Sequence, residues 1–156
     1  MISQPFKSIK IKLAMFKSSE IPNWINIFLI ILILFMAVQV YWFYFDHQSL
    51  LDAGITIQGV PDLNIMYTTA GRLVAMIAAS IFVLVTQNPN QYLIVLFMSI
   101  FREGQETFID PLFPYANAGP AAVDVGMHLV IVALEIWAFI TVYRVTQKEN
   151  KAAKTL

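Results

Sequence analysis

Arg102-Glu103-Gly104-Gln105-Glu106-Thr107-Phe108-Ile109-Asp110 decides how this chain is read, because the nonapeptide completes an apolar run that begins at Tyr92. The ten residues from Tyr92 to Phe101 are mostly apolar, but crossing a bilayer takes roughly 20 residues at 1.5 Å each. If this segment spans, the charged nonapeptide supplies the other half of the helix. Ionisable groups at such depth are expensive and face a bundle interior or a wet cavity, paired with one another. The last apolar run offers the partners. Asp124, His128 and Glu135 stand there at i, i+4 and i+11, within about 40° of one another on a helix turning 100° per residue. Two helices therefore each present a charged stripe, and the candidate site lies between them.

Composition sets the class. The chain has 156 residues, 58% hydrophobic and 13% charged, with mean hydropathy +0.68; soluble domains average about 45–50% apolar and 25% charged. The expectation is an integral membrane protein with one bundle. Cysteine is absent, which excludes disulfides, thiol redox relays and Cys-ligated clusters. No nucleotide-binding glycine loop, nucleophile elbow or zinc-protease helix motif occurs, and nucleic acid is not an expected partner.

Outward from the central stretch, the reading is all-α: a membrane-spanning, antiparallel four-helix bundle over residues 22–146, with spans at about 24–45, 66–86, 91–110 and 121–144. Residues 1–21 form a basic tail with Lys7, Lys10, Lys12 and Lys17, and 147–156 form a second. The first apolar run is too long for a signal-peptide core of 7–15 residues. It starts after Pro22, tolerated at a helix start because its missing N–H has no partner there. It closes in the aromatic belt Tyr41-Trp42-Phe43-Tyr44-Phe45, an interfacial anchor. Residues 46–65, with three Asp and no Lys or Arg, read as an external loop with room for one interfacial helical turn and a solvated His47. Gln87-Asn88-Pro89-Asn90-Gln91 reads as a tight turn, and Asp110 to Pro120, with Pro111, Pro114 and Pro120, as a loop. Ala75, Ala78, Ala79 and Ser80 are the small residues that let membrane helices approach closely.

Charge asymmetry orients the chain. Of ten Lys and Arg, four precede the first span and four follow the last. Both termini are expected in the cytoplasm, across the cytoplasmic (inner) membrane, by the positive-inside rule. The charged stripes then lie in the outer half of the membrane.

The candidate ligand-binding set is Arg72, Arg102, Glu103, Glu106, Asp124, His128 and Glu135. Taking Asp110 and Asp124 at the outer interface and about 1.5 Å per residue, Glu106 and His128 lie at one depth and Glu135 near mid-bilayer. That register sets Glu106 facing His128, and Arg102 reaching toward Glu135. Arg72 either snorkels to phosphates or joins the charge balance. Four acids against two bases demand protonated carboxylates, a protonated His128 or a bound cation. A polar network that merely fixes helix register is the plain structural account. A metal set would combine Glu103-x-x-Glu106 with Asp124-x-x-x-His128, but the Glu-x-x-His pair of di-metal bundles is missing, so no metal is assigned. His128, the only histidine within a span, does not favour haem, and no cofactor is identified.

The four short spans, Gly71-Arg72 opening the second helix, and the charged end of the third around Arg102 and Glu106 resemble the DoxX-like and BphX-like small membrane proteins, over roughly residues 24–145. Some members of that group are described as partners of quinone-linked oxidoreductases. The resemblance implies a small binding or accessory protein, with a quinone or lipid headgroup as ligand. Partners would be the lipid bilayer and a larger membrane complex or a second copy of the chain. The competing expectations are a membrane enzyme using Glu106 or His128 for proton transfer, with Arg102 stabilising an anion, and a purely structural subunit.

Orientation is directly testable because the chain has no native cysteine. A single cysteine introduced at residue 18 or 150 should react with an impermeant maleimide only after the cytoplasmic face is opened. One at residue 57 should react in intact cells.

Overall fold

A computed structural model describes residues 21–112 and 121–154 of the chain. The described residues form five helices: α1 (Asn23–Phe45), α2 (His47–Asp52), α3 (Val60–Thr86), α4 (Pro89–Leu112) and α5 (Ala121–Lys154). α1, α3 and the Val125–Lys151 part of α5 are long and apolar enough to cross a membrane, as an integral membrane protein requires. α4 does not join them, because its second half carries Arg102, Glu103, Glu106 and Asp110.

Several boundaries differ from the sequence reading. The expected loop over 46–65 contains the single helical turn α2, and α3 begins at Val60, six residues before Met66. The cause is local: Gly59 adopts φ 138°, and Pro61 sits in the first turn of α3, where no backbone donor is needed. The Asp62 carboxylate then accepts from the Gln58 N–H at 2.6 Å. α4 starts at Pro89, so only Gln87 and Asn88 separate it from α3; Gln87 takes the left-handed conformation that ends α3. α4 also continues through Pro111 to Leu112. The polar tail after Tyr143 continues α5 to Lys154. The tail 1–20, the loop residues 113–120 and residues 155–156 lie outside the described residues.

His47 is not a solvated loop residue. It opens α2, its Nε2 lies 3.0 Å from the Phe43 carbonyl, and its ring packs 5.9 Å from Tyr67. Asp46 caps α2 by accepting from the Ser49 backbone and hydroxyl at 3.2 and 2.7 Å. Those hydrogen bonds hold the Asp46 carboxyl below its ordinary value.

Packing is pairwise and antiparallel. α1 lies along α3, α4 lies along α5, and α3 meets α4 more lightly. α1 buries Ile25, Leu29, Leu32 and Met36, and α3, packed along it, buries Met66, Ala70, Leu73 and Met76. α4 buries Tyr92, Val95, Leu96, Ser99, Glu103 and Thr107, a stripe at three- and four-residue spacing. Across it stand Glu135, Ala138 and Val142 of α5. The helices present Leu34, Phe35, Phe82, Ile94 and Trp137 outward, which suits lipid rather than water.

Polar clasps register the ends. The Tyr92 hydroxyl donates to Asn26 Oδ1 at 2.6 Å and accepts from Gln87 Nε2 at 2.8 Å, tying the start of α1 to the α3–α4 junction. At the opposite end Tyr44 stacks on Tyr67 with centroids 5.5 Å apart. Trp24 meets Trp137 at 5.0 Å, a contact between α1 and α5. Removing the Tyr92 hydroxyl breaks two interhelical hydrogen bonds, each worth about 0.6–1.7 kcal/mol in a membrane. Tyr92→Phe should therefore lose about 1–3 kcal/mol in reversible unfolding from mixed micelles, with helicity unchanged at low denaturant.

Candidate functional site

The α4–α5 seam turns polar beyond Ser99. Glu103 follows Ser99 by one turn on the buried stripe and is 3% exposed. Its carboxylate is held from two sides: Oε1 accepts from Arg102 Nη2, and Oε2 lies 2.9 Å from His128 Nδ1 on α5. The other imidazole nitrogen, Nε2, lies 3.4 Å from Asp110 Oδ2. His128 thus bridges two carboxylates seven residues apart on α4, an i, i+7 pair on one helix face. The Asp110 side chain is 31% exposed and the Glu103 side chain 4%, so the line runs from the edge of the seam to its interior.

The contacts described for His128 run to Glu103 and Asp110, where the sequence reading set Glu106 opposite it. His128 does reach the level of Glu106, between Glu103 and Asp110. However, Glu106 points about 60° away from the Glu103 direction, given 100° per residue, and is half-buried on the flank. It stays close: donor atoms of Glu103, Glu106 and His128 lie within 4.8 Å of one another. Sequence periodicity placed all three on facing helices. The choice between Glu103 and Glu106 depended on which side of α4 meets α5, and that is a tertiary fact.

Glu135 sits two turns below His128 on α5 and is 0% exposed. Arg102 and Glu106 are the charges acting on it, yet the expected Arg102–Glu135 contact is not made. Arg102 turns to its neighbour Glu103 instead. Both Glu135 carboxylate oxygens, together with Arg102 Nε and Nη1, are buried with no hydrogen-bond partner among the described residues. Buried polar groups are almost always satisfied, so four open positions at one seam are the feature to explain.

Two expected members are not brought into this cluster by the described structure. Arg72 is exposed on α3. Asp124 lies in the first turn of α5, with its side chain outside the described residues. A concavity of about 170 Å³ lies elsewhere, lined by Ile55, Thr56, Asp62, Ile65, Met66 and Thr69 at the start of α3. Sequence reasoning overlooked Asp110 as a site residue, although its i, i+7 spacing from Glu103 is visible in the primary structure. It also overlooked Thr107, which donates to the Glu103 carbonyl at 2.8 Å and fills the buried stripe one turn beyond it.

Comparison with protein families, curated proteins and solved structures finds no match.

Glu103 should dominate the energetics of the seam. Breaking a buried ion pair by deleting one partner costs about 3–5 kcal/mol. Glu103→Ala should fall in that range in micellar unfolding, and Glu106→Ala should cost less than half as much. Equal losses would move the centre of the network away from Glu103.

Proposed function

We propose that this chain is a small membrane-embedded binding protein that holds a polar or amphipathic ligand, of quinone or lipid-headgroup class, at the α4–α5 seam. In this reading α4 is the third span of an antiparallel four-helix bundle, despite its charged second half. Both termini face the cytoplasm, and the site opens from the outer half of the membrane. The assignment rests on one observation: Arg102 and Glu135 each keep buried hydrogen-bonding atoms without partners among the described residues, while remaining in electrostatic reach of each other.

Those atoms specify complementary chemistry. The Arg102 N–H groups take an acceptor, such as a quinone carbonyl or a phosphate oxygen. Glu135 takes a donor, such as a quinol hydroxyl or an ammonium. Glu103 and His128 are already engaged and hold the walls in register. The resemblance to DoxX-like and BphX-like proteins supports the quinone class, and a role as accessory subunit of a redox complex follows from it. The unbroken line Glu103–His128–Asp110 favours one second reading, an enzyme that moves a proton through the imidazole.

Native mass spectrometry of protein extracted gently from its own membranes tests both. Binding predicts a reproducible organic adduct that is lost or weakened at least tenfold in Glu135→Gln and Arg102→Gln, with the fold retained. Conversion of the adduct during incubation, abolished by His128→Ala, would select the enzyme. Bare chain co-migrating with larger subunits would overturn both and leave the seam a register device.

A further inference from the structure

We propose that Glu103, Glu106 and His128 together hold one divalent first-row transition-metal ion, with Asp110 as the group that orients the imidazole. The site is distinct from the open atoms of Arg102 and Glu135, and it stands whether or not an organic ligand binds there.

The donors are the right kind and nearly in place. Two carboxylates and one imidazole offer oxygen and nitrogen atoms that lie within 4.8 Å of one another. A tetrahedral ion with ligand bonds of about 2.0–2.1 Å separates its donors by about 3.3 Å, so closure draws the donors together by about 1.5 Å at most. Glu103 Oε2 and His128 Nδ1, now 2.9 Å apart, need to part by only a few tenths of an ångström. Arg102 occupies Oε1 alone, which leaves Oε2 for the ion.

The second coordination layer is also present. A metal-bound histidine almost always donates its other ring N–H to a carboxylate or carbonyl, which fixes the tautomer. Here Nδ1 faces the proposed ion, and Nε2 lies 3.4 Å from Asp110 Oδ2. Metal binding converts the imidazole to the neutral Nε2–H tautomer and directs that hydrogen at Asp110.

Glu135 adds a further buried acid two turns from His128. It lies on the same face as His128, seven residues on, is fully buried, and has both oxygens unpartnered among the described residues. An unpaired carboxylate in low dielectric is costly. A divalent ion balances the two coordinating carboxylates Glu103 and Glu106, with Asp110 left at the more exposed edge. Oxygen and imidazole donors without thiolate suit Mn(II), Fe(II) or Zn(II) rather than Cu(I). Three protein ligands leave at least one coordination position open.

The probes are Mn²⁺ and Zn²⁺ on full-length chain in detergent micelles after chelator treatment. Free Mn²⁺ is followed by its electron paramagnetic resonance signal, and Zn²⁺ by competition. One ion per chain is expected. Glu103→Gln and His128→Ala should weaken binding at least tenfold, and Asp110→Asn by about 10–100-fold. Glu149→Gln, on the distal part of α5, should leave it unchanged. If His128→Ala fails to fold, Asp110→Asn carries the decision, since it keeps the size of the side chain. Absence of stoichiometric binding for both ions, or unchanged affinity in Glu103→Gln and Asp110→Asn, overturns the proposal. An organic adduct without metal removes this site alone, whereas metal without organic adduct removes the ligand reading and keeps it.

Discussion

The carboxylate of Glu103 is the constraint on which the α4–α5 half of the molecule depends. It sits in the seam between two helices, accepts from Arg102 on one side, and meets His128 on the other. A charge at that position is tolerated only if it is paired and hydrogen-bonded. The pairing in turn dictates the rotation of α4: turning the helix by one residue would move Glu103 about 100° off the seam and leave His128 opposite a flank.

This requirement explains why α4 is built in two halves. Its first half, with Val95 and Leu96 buried, packs by shape against Ala138 and Val142. Its second half cannot use apolar burial, because Arg102, Glu103, Glu106 and Asp110 occupy it, so it is held to α5 by charge and hydrogen bonding. The other helix pair needs no such device. α1 and α3 meet through aliphatic and methionine side chains, and among the described residues the polar contacts lie at their ends, in the Asn26–Tyr92–Gln87 clasp and at Tyr44–Tyr67. The molecule thus combines a pair packed through apolar side chains with a pair joined by ionisable ones. The polar pair holds more ionisable groups than register needs: one ion pair would set it, and this seam has five ionisable side chains plus Glu135 below them.

The sequence was a good guide to where ionisable residues gather and a weaker guide to how they touch. Facing charged stripes on the third and fourth apolar runs were legible from spacing alone, because helical periodicity is a local property. The short apolar run of α4 was equally legible and accounts for its absence from the helices apolar enough to cross a membrane. Helix ends were harder. Pro89 and Pro111 read as loop residues, yet a proline at a helix start loses no hydrogen bond, and Pro111 lies within the last turn of α4. Arg72 read as a plausible charge partner by depth, but it lies on the exposed side of α3.

Amino-acid composition and order by themselves determined the helical class, the apolar spans and the two charged stripes, because these follow from hydrophobicity and a 3.6-residue repeat. The tertiary structure alone decided that Glu103 meets one nitrogen of His128, that Asp110 lies at the other, and that Arg102 turns from Glu135 to its neighbour. Each of those outcomes depends on the rotation and slide of one helix against another. That geometry is set by the packing of Ser99, Thr107, Ala138 and Val142 across the seam, and no local pattern in the chain encodes it.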